Sequence, residues 1–342
     1  MSAKQFDYLV FIGRMNPFHL GHEEVIAKAL KMADNVIILI GSANQPRNIK
    51  NPFTFDERKA MISEATGNID AISILPLRDF KADDNVWAAN VQKIVSAEVG
   101  LMGWTDMPRR GGIIGHTKDE SSYYLKMFPQ WEVIEHGMNE AVSATDIREL
   151  YFNSNIRYLK DVVSAPVYTF LEKFKSNIDY TILQEEYSFI KSYKKSWAAA
   201  PYAPTFVTCD AVVVQSGHIL LIKRKAAPGR GLWALPGGFV NQNEKIEAAM
   251  IRELREETCI RVPSPVLRGN IKGSKIFDAP DRSLRGRTIT QAFFIELPAG
   301  DLPTVKGNDD AEKARWVPLS WVKEEEMFED HYGIITSFLG QI

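Results

Sequence analysis

Cysteine is scarce: the 342-residue chain has two, Cys209 and Cys259. With no export pattern ahead of them, they argue against a disulfide framework and for a reducing cytoplasm. Long apolar runs are missing too. The longest, such as NVIILIGSA, are of strand length and too short to span a bilayer, so no membrane association is expected. Charge of one sign is not in excess: 41 Lys and Arg against 43 Asp and Glu leave −2, which gives no bulk attraction to nucleic acid or anionic lipid. No internal repeat or low-complexity segment is present, and MSAKQFDYLVFIG enters a strand at once, without a signal pattern. What remains is ordinary globular composition, 45% hydrophobic and 25% charged. Single cores rarely grow beyond about 250–300 residues, so two domains are expected.

The first half alternates strand-like and helix-like segments. DYLVFIG, NVIILIGSA, AISILPL, GGIIGH and WEVIEHG read as strands; EEVIAKALKMA, FDERKAMISEA and VWAANVQKIVSAEV read as helices between them. That pattern predicts an α/β domain with a doubly wound, Rossmann-like parallel sheet. Residues 146 to about 195 read as mostly helical. The prolines and small residues of AAAPYAP predict a linker at 198–204 between domains at 1–197 and 205–342. Beyond it the texture changes to α+β. TCDAVVVQSGHILLIKRK reads as a hairpin turning at Ser216-Gly217, one strong helix follows, and TITQAFFIEL and ARWVPL continue a mixed sheet.

Polar chemistry is packed into GRMNPFHLGH, residues 13–22, between the first strand and the first helix. Binding phosphate takes backbone N–H groups, positive charge and room for close approach. A helix N-terminus reached through a glycine turn supplies the first and third. Arg14, His19 and His22 supply charge and donors, the two histidines lie on one side of the first helical turn, and Gly21 leaves the backbone approachable. Further on, Thr54 and Glu57 in NPFTFDER have capping-box spacing, flanked by Arg47 and Arg58. Arg58 also fits a solvated helix face. In SATDIR, Ser143, Thr145 and Asp146 open a helix with Arg148 in its first turn.

These residues resemble a family. H-x-G-H, His19 to His22, is similar to the signature of the nucleotidyltransferase superfamily. GSANQPRNIKNPFTFDER and VSATDIREL resemble motifs of the archaeal-type nicotinamide-mononucleotide adenylyltransferases, and the resemblance covers about the first 150 residues. It implies that Gly13 and Arg14 belong to the nucleotide site, and that Arg47 and Asn51 hold substrate with Phe53 nearby. ATP phosphates then sit at the Ser143–Thr145 turn with Arg148 on them, and Trp87 stacks the nicotinamide ring, a pyridinium over an indole face. Lys118, with His116 and Asp119 after a strand end, is a further candidate ligand. The implied reaction is attack of the 5′-phosphate of nicotinamide mononucleotide on the α-phosphorus of ATP, with pyrophosphate leaving. His19, His22, Arg148 and Mg²⁺ align the groups and stabilise charge, and no covalent nucleophile is needed. Met15 stands where relatives often carry an aromatic residue, a departure expected to matter little.

LPGGFVNQNEKIEAAMIRELREETCI, residues 235–260, carries a second pattern. At helical spacing Glu253, Glu256 and Glu257 fall within an arc of roughly 100°. Met250, Ile251 and Leu254 lie round another arc and can pack on a sheet. Carboxylates crowded on one face repel, which suits a hard divalent cation, Mg²⁺ or Mn²⁺, bridging to a pyrophosphate. Arg252 can brace the acids, and Gly237 and Gly238 let backbone oxygen approach metal. The stretch resembles the Nudix box, matched by Gly238, Glu244, Arg252, Glu253, Leu254, Glu256, Glu257 and Ile260. The resemblance implies hydrolysis of nucleoside diphosphates linked to another group. Cys259 replaces the closing glycine, so the helix is expected to end slightly differently, with catalysis intact. APDRSLRGRTITQAFFIEL, residues 279–297, resembles a segment of ADP-ribose pyrophosphatases. There Arg282, Arg285 and Arg287 either meet a terminal ribose or phosphates, or form a basic loop. The general base stays open between a box glutamate and Asp309, Asp310 or Glu312. His218 and His331 read as turn or surface residues without a role.

Together the motifs resemble an adenylyltransferase fused to a Nudix ADP-ribose pyrophosphatase, with ATP, nicotinamide mononucleotide and ADP-ribose as substrates. Small nucleotides are then the partners, with neither nucleic acid nor membrane, and a homo-oligomer stays open. Three alternatives remain on the sequence: a second domain that senses nucleotide without hydrolysis, one that prefers another dinucleotide, or a first domain with another nucleotidyl acceptor.

Overall fold

The computed structural model describes residues 4–79, 84–102, 110–116, 120–137, 143–308 and 311–340. The chain divides into two compact units, Met1–Gln184 and Glu185–Ile342. The division falls inside a helix, and the segment 198–204 read as a linker is turn and coil within the second unit.

The first unit opens with β1 (Phe6–Gly13), α1 (Leu20–Met32), β2 (Ala33–Ile40), α2 (Phe55–Ala65) and β3 (Ile72–Pro76). It continues through α3 (Asp84–Leu101), β4 (Gly111–His116), β5 (Glu132–His136), α4 (Ala144–Phe152) and α5 (Ala165–Phe174) into α6 (Ile178–Ser196), which crosses the division. All strand pairs of its sheet, in the order β3-β2-β1-β4-β5, are parallel, as the alternation predicts. Order reverses between β1 and β4, so the turn after β1 opens at the crevice where doubly wound sheets bind ligands. The central strands are apolar on both faces because helices cover both. On one face Tyr8, Val10 and Ile12 pack with Val91 and Val95 of α3 and with Phe128 and Trp131. The spacing of α1 puts Val25, Ile26, Ala29 and Leu30 on one face; the first three are buried and Leu30 is half-buried.

The second unit holds β6 (Phe206–Gln215), β7 (His218–Arg224), β8 (Trp233–Ala234), β9 (Gly237–Phe239), α7 (Ile246–Thr258) and α8 (Ser264–Gly269). After these come β10 (Ile271–Phe277), β11 (Thr288–Glu296), β12 (Ala311–Pro318) and α9 (His331–Leu339). The sheet runs β10-β11-β6-β7-β12, with β8 on β7 and β9 on β6. It is mixed: β11 and β6 are parallel and β6 and β7 form the expected hairpin. Ser216 and Gly217 both have positive φ there, 48° and 73°, as a two-residue primed turn requires. Along β6, Cys209, Ala211 and Val213 face Met250, Ile251 and Leu254 of α7, whereas Val212 and Val214 face Ile334 and Ile335 of α9. The period of two thus holds α7 on one face and α9 on the other.

Candidate functional site

In the first unit the site is built at the end of β1. His19 is the N-cap of α1 and His22 its third residue. The His19 N–H donates to His22 Nδ1 (3.3 Å), and the rings lie 3.8 Å apart between centroids. Phe18 stacks under His22 at 5.6 Å. An accepting Nδ1 leaves Nε2 of a neutral His22 as the N–H donor. Gly13 ends β1 and Gly41 N donates to its carbonyl at 3.0 Å, which joins the turns after β1 and β2. Arg148, from the far helix α4, donates to Asn16 O at 2.7 Å and to Thr145 Oγ1 at 3.1 Å. The structure therefore brings the second motif onto the imidazole turn. Thr54 shares a capping box with Glu57 on α2, as its spacing predicts, and Ser143, read as opening a helix, caps α4 and shares a second box with Asp146. Burial lowers the Arg148 and Arg58 guanidiniums to about 10, and the charge of Arg14 pushes both the same way. An anion beside Arg14 and Arg148 offsets that repulsion.

Three other expected ligands pack against the protein's own side chains. Arg47 is spent on protein: it forks onto Glu57 (2.5 and 2.8 Å), donates to Pro52 O, pairs with Asp179 and lies over Phe174. Phe53 is core, 2% exposed, packed on Phe170 and Phe174. Trp87 packs edge-on to Tyr124 and against Phe128 on the sheet face. Asn51 keeps a buried Oδ1 that accepts no hydrogen bond, which suits a ligand donor. Lys118 and Asp119 lie outside the described residues. Arg58 is no solvated face: it is 1% exposed and donates to the carbonyls of Arg14, Gly41, Ser42 and Thr54. Asp79, which the sequence did not single out, takes the N–H and hydroxyl of Ser42 (3.0 and 2.6 Å) and steadies the same turn.

In the second unit α7 and the turn before it present the acids beside β9. Arg252 gathers three of them: Nε and Nη2 bind Glu244 (3.0 and 2.9 Å), and Nη1 binds Glu253 (2.8 Å) and Glu256 (2.9 Å). Those partners raise its pKa, and Nη2 also holds Phe239 O. Glu257 is apart from them, 5% exposed, its Oε2 accepting Gly237 N at 2.9 Å. Burial pushes its carboxyl up to about 8, and the nearby charges of Glu253 and Asp210 add to that. Backbone demands the first glycine, and a side chain crowds the second. A Cβ on Gly237 would lie 2.2 Å from Cys209 O and 2.6 Å from Asp210 Oδ1; one on Gly238 would lie 2.6 Å from the Glu253 carboxylate. Among the described residues no three Asp, Glu, His or Cys groups form a preformed metal cage. The acids turn toward Arg252 and Gly237 instead.

Three expectations change here. The helix does not end differently at Cys259: that residue itself takes the left-handed conformation, φ 48° and ψ 29°, and its N–H caps Arg255 O. Arg282 is not turned to a ligand; it is 4% exposed and forked onto Asp330. Arg285 lies with its guanidinium 5.1 Å from the Phe239 ring centroid, beside the box. His331 is neither turn nor surface: it is 6% exposed, its Nδ1 accepts Leu235 N at 2.9 Å, and burial lowers its pKa to about 3. Arg287 binds the Asp278 carbonyl, Glu312 is exposed on β12, and Asp309 and Asp310 lie outside the described residues.

Comparison with known proteins agrees with both halves. A cytidylyltransferase-like family model matches residues 10–150 and a NUDIX domain model matches residues 205–338. The nicotinamide/nicotinic acid mononucleotide adenylyltransferase of Acinetobacter baylyi is 39% identical over 54% of this chain and 94% of its own length. The ADP-ribose pyrophosphatase of Methanocaldococcus jannaschii is 35% identical over 40% of this chain and 75% of its own. A bifunctional NMN adenylyltransferase/ADP ribose pyrophosphatase from Francisella tularensis, crystallised with AMP and a Mn ion, is 36% identical, with a TM-score of 0.89 over 98% of each chain. With both domains matched in order and along nearly the whole length, the chain belongs to the family of bifunctional NMN adenylyltransferase/ADP ribose pyrophosphatases.

Proposed function

We propose that the first unit joins nicotinamide mononucleotide to the adenylyl group of ATP, giving NAD and pyrophosphate. The second hydrolyses ADP-ribose to AMP and ribose 5-phosphate. The observation that carries the first half is the 2.7 Å bond from Arg148 to Asn16 O, which ties α4 to the turn that carries His19 and His22. In that reaction an oxygen of the mononucleotide phosphate forms a bond to the α-phosphorus while the bond to the bridging oxygen breaks. Charge grows on the transferring group and on the departing pyrophosphate. Arg14, Arg148 and the His22 Nε2–H are the donors this reading assigns to that charge; Arg148 and His22 are held in place beforehand, which is how such transfers are accelerated.

For hydrolysis, the family implies a divalent cation. The residues around α7 fit one: Glu253, Glu256 and Glu257 on the helix and the Gly237 carbonyl on β9 are hard oxygen donors, and the charge of Glu253 adds to the rise that burial causes at Glu257, a repulsion a cation would offset. Mg²⁺ or Mn²⁺ bound there supplies Lewis acidity toward a phosphoryl oxygen. Arg252 gathers Glu244, Glu253 and Glu256, and the glycine turn lets the diphosphate come close. The unpaired thiols Cys209 and Cys259 suit a reducing cytoplasm, and no helix among the described residues is long and apolar enough to cross a membrane.

The test uses wild type, His19→Ala and Glu257→Gln, each given ATP with nicotinamide mononucleotide and, separately, ADP-ribose, with Mg²⁺ or Mn²⁺. His19→Ala is expected to lose NAD formation by about 10²-fold and keep hydrolysis; Glu257→Gln does the reverse. A wild type that forms no NAD, or releases no AMP from ADP-ribose, overturns the corresponding half.

A further inference from the structure

Far along the chain from the box, Phe328–His331 holds the second site at several points. Phe328 N donates to Trp233 O at 2.8 Å, and Met327 bridges to Trp233. Glu329 Oε1 accepts Leu284 N at 3.1 Å. Asp330 takes Arg282 with both oxygens, at 2.8 and 2.9 Å. His331 Nδ1 accepts Leu235 N at 2.9 Å, on the residue that leads into Pro236-Gly237-Gly238. Glu329 has φ 45°, a left-handed backbone that a glutamate keeps only where its surroundings hold it.

These bonds run to two different parts of the site. One is the loop 282–285, which carries Arg285 beside Phe239. The other is the glycine turn, whose Gly237 N–H holds Glu257. A buried carboxylate–guanidinium pair seldom adds much stability over an apolar pair, but its fork fixes orientation. We infer that Phe328–His331 is a positioning strap for the hydrolase site. Glu329 and Asp330 set the loop that carries Arg285 beside Phe239, where Arg285 would meet the substrate, and His331 sets the glycine turn that faces Glu257. This rests on the reading of the second unit as an ADP-ribose hydrolase.

Two ends that do different work give different kinetics. Asp330→Asn breaks the ion pair and loosens the loop; the KM for ADP-ribose should rise about tenfold, with kcat within about threefold. His331→Phe removes the acceptor from Leu235 N; kcat should fall about tenfold at a KM within about threefold, since a small displacement of reacting groups costs at least that much. His331→Asn, whose Oδ1 can accept the same N–H, should restore kcat. NAD formation by the same full-length samples reports an intact first unit, and thermal melting reports folding. Should Asp330→Asn fail to fold, Arg282→Lys, which keeps the charge and loses the fork, carries the same KM expectation. Folded variants with wild-type KM and kcat, or both constants falling together in every variant without rescue by asparagine, overturn the strap. A wild type silent on ADP-ribose overturns the functional reading and this inference with it.

Discussion

A methyl group on Gly238 would sit 2.6 Å from the Glu253 carboxylate, closer than real Cβ atoms approach anything. Glu253 cannot simply swing away, because Arg252 Nη1 holds it together with Glu256. One added carbon therefore moves either the strand or the acid. Gly238→Ala is expected to lower hydrolysis of ADP-ribose by about tenfold or more while NAD formation is unchanged, measured on one preparation with the two substrate sets. Wild-type hydrolysis in that variant would mean that the position of Glu253 does not matter to the reaction. The partners of single atoms also distinguish the four arginines of the first site. Arg14 is exposed, whereas Arg148 donates to Asn16 O and Thr145 Oγ1 and so ties α4 to the imidazole turn. Arg58 and Arg47 are equally cationic, and their N–H groups are likewise committed to carbonyls and carboxylates of their own fold.

At the scale of elements, α7 ends on a side chain where a glycine would be at ease. Cys259 holds φ 48°, a conformation that burdens any residue with a Cβ by about 1 kcal/mol. That is small against the packing of Met250, Ile251 and Leu254 on the sheet, so the helix keeps its register and the residue bears the strain. Cys259→Gly should stabilise the second unit by about 1 kcal/mol and raise its melting temperature by about 2–4 °C. Melting at or below the wild-type temperature would show that the left-handed cap carries no strain. The contrast explains what could be read in advance. Both capping boxes, the hairpin turn, the strand alternation and the box acids depend on neighbours within a few positions, so spacing discloses them. Arg282 with Asp330, Arg47 with Asp179 and Arg58 with Arg14 O join residues remote in the chain. Nothing local in APDRSLRGR distinguishes the arginine that will be buried from the one left beside Phe239. Phe53 and Trp87, which the resemblance assigns to the substrate, pack against other aromatics for a related reason, since an aromatic ring serves a core and a ligand equally well.

Across the whole molecule, a net charge of −2 conceals two sites of opposite sign: arginines and imidazoles in Met1–Gln184, and clustered carboxylates in Glu185–Ile342. The second unit also buries a neutral histidine, and this ties its stability to pH. Around His331 stand Asp330, Asp210, Arg282, Arg224 and Arg285, and burial outweighs the acids, lowering its pKa from 6.5 to about 3. The unfolded chain takes up that proton below 6.5 while the folded one refuses it until about 3. Stability is therefore complete above 6.5 and is lost as pH falls toward 3, by up to about 1.4 kcal/mol for each pH unit. Protonation at Nδ1 would also cost the bond from Leu235 N. Asp210 and Glu257, whose carboxyls are raised by burial, titrate in the wild type and in a His331→Asn variant alike, so they largely cancel in the difference between the two. Denaturant unfolding of both proteins at about pH 7.5 and about pH 5 isolates the histidine. The wild type should lose about 2 kcal/mol relative to the variant between those conditions. Parallel curves would show that His331 takes up its proton as readily in the folded chain as in the unfolded one, and that its burial does not govern the acid limit of this unit.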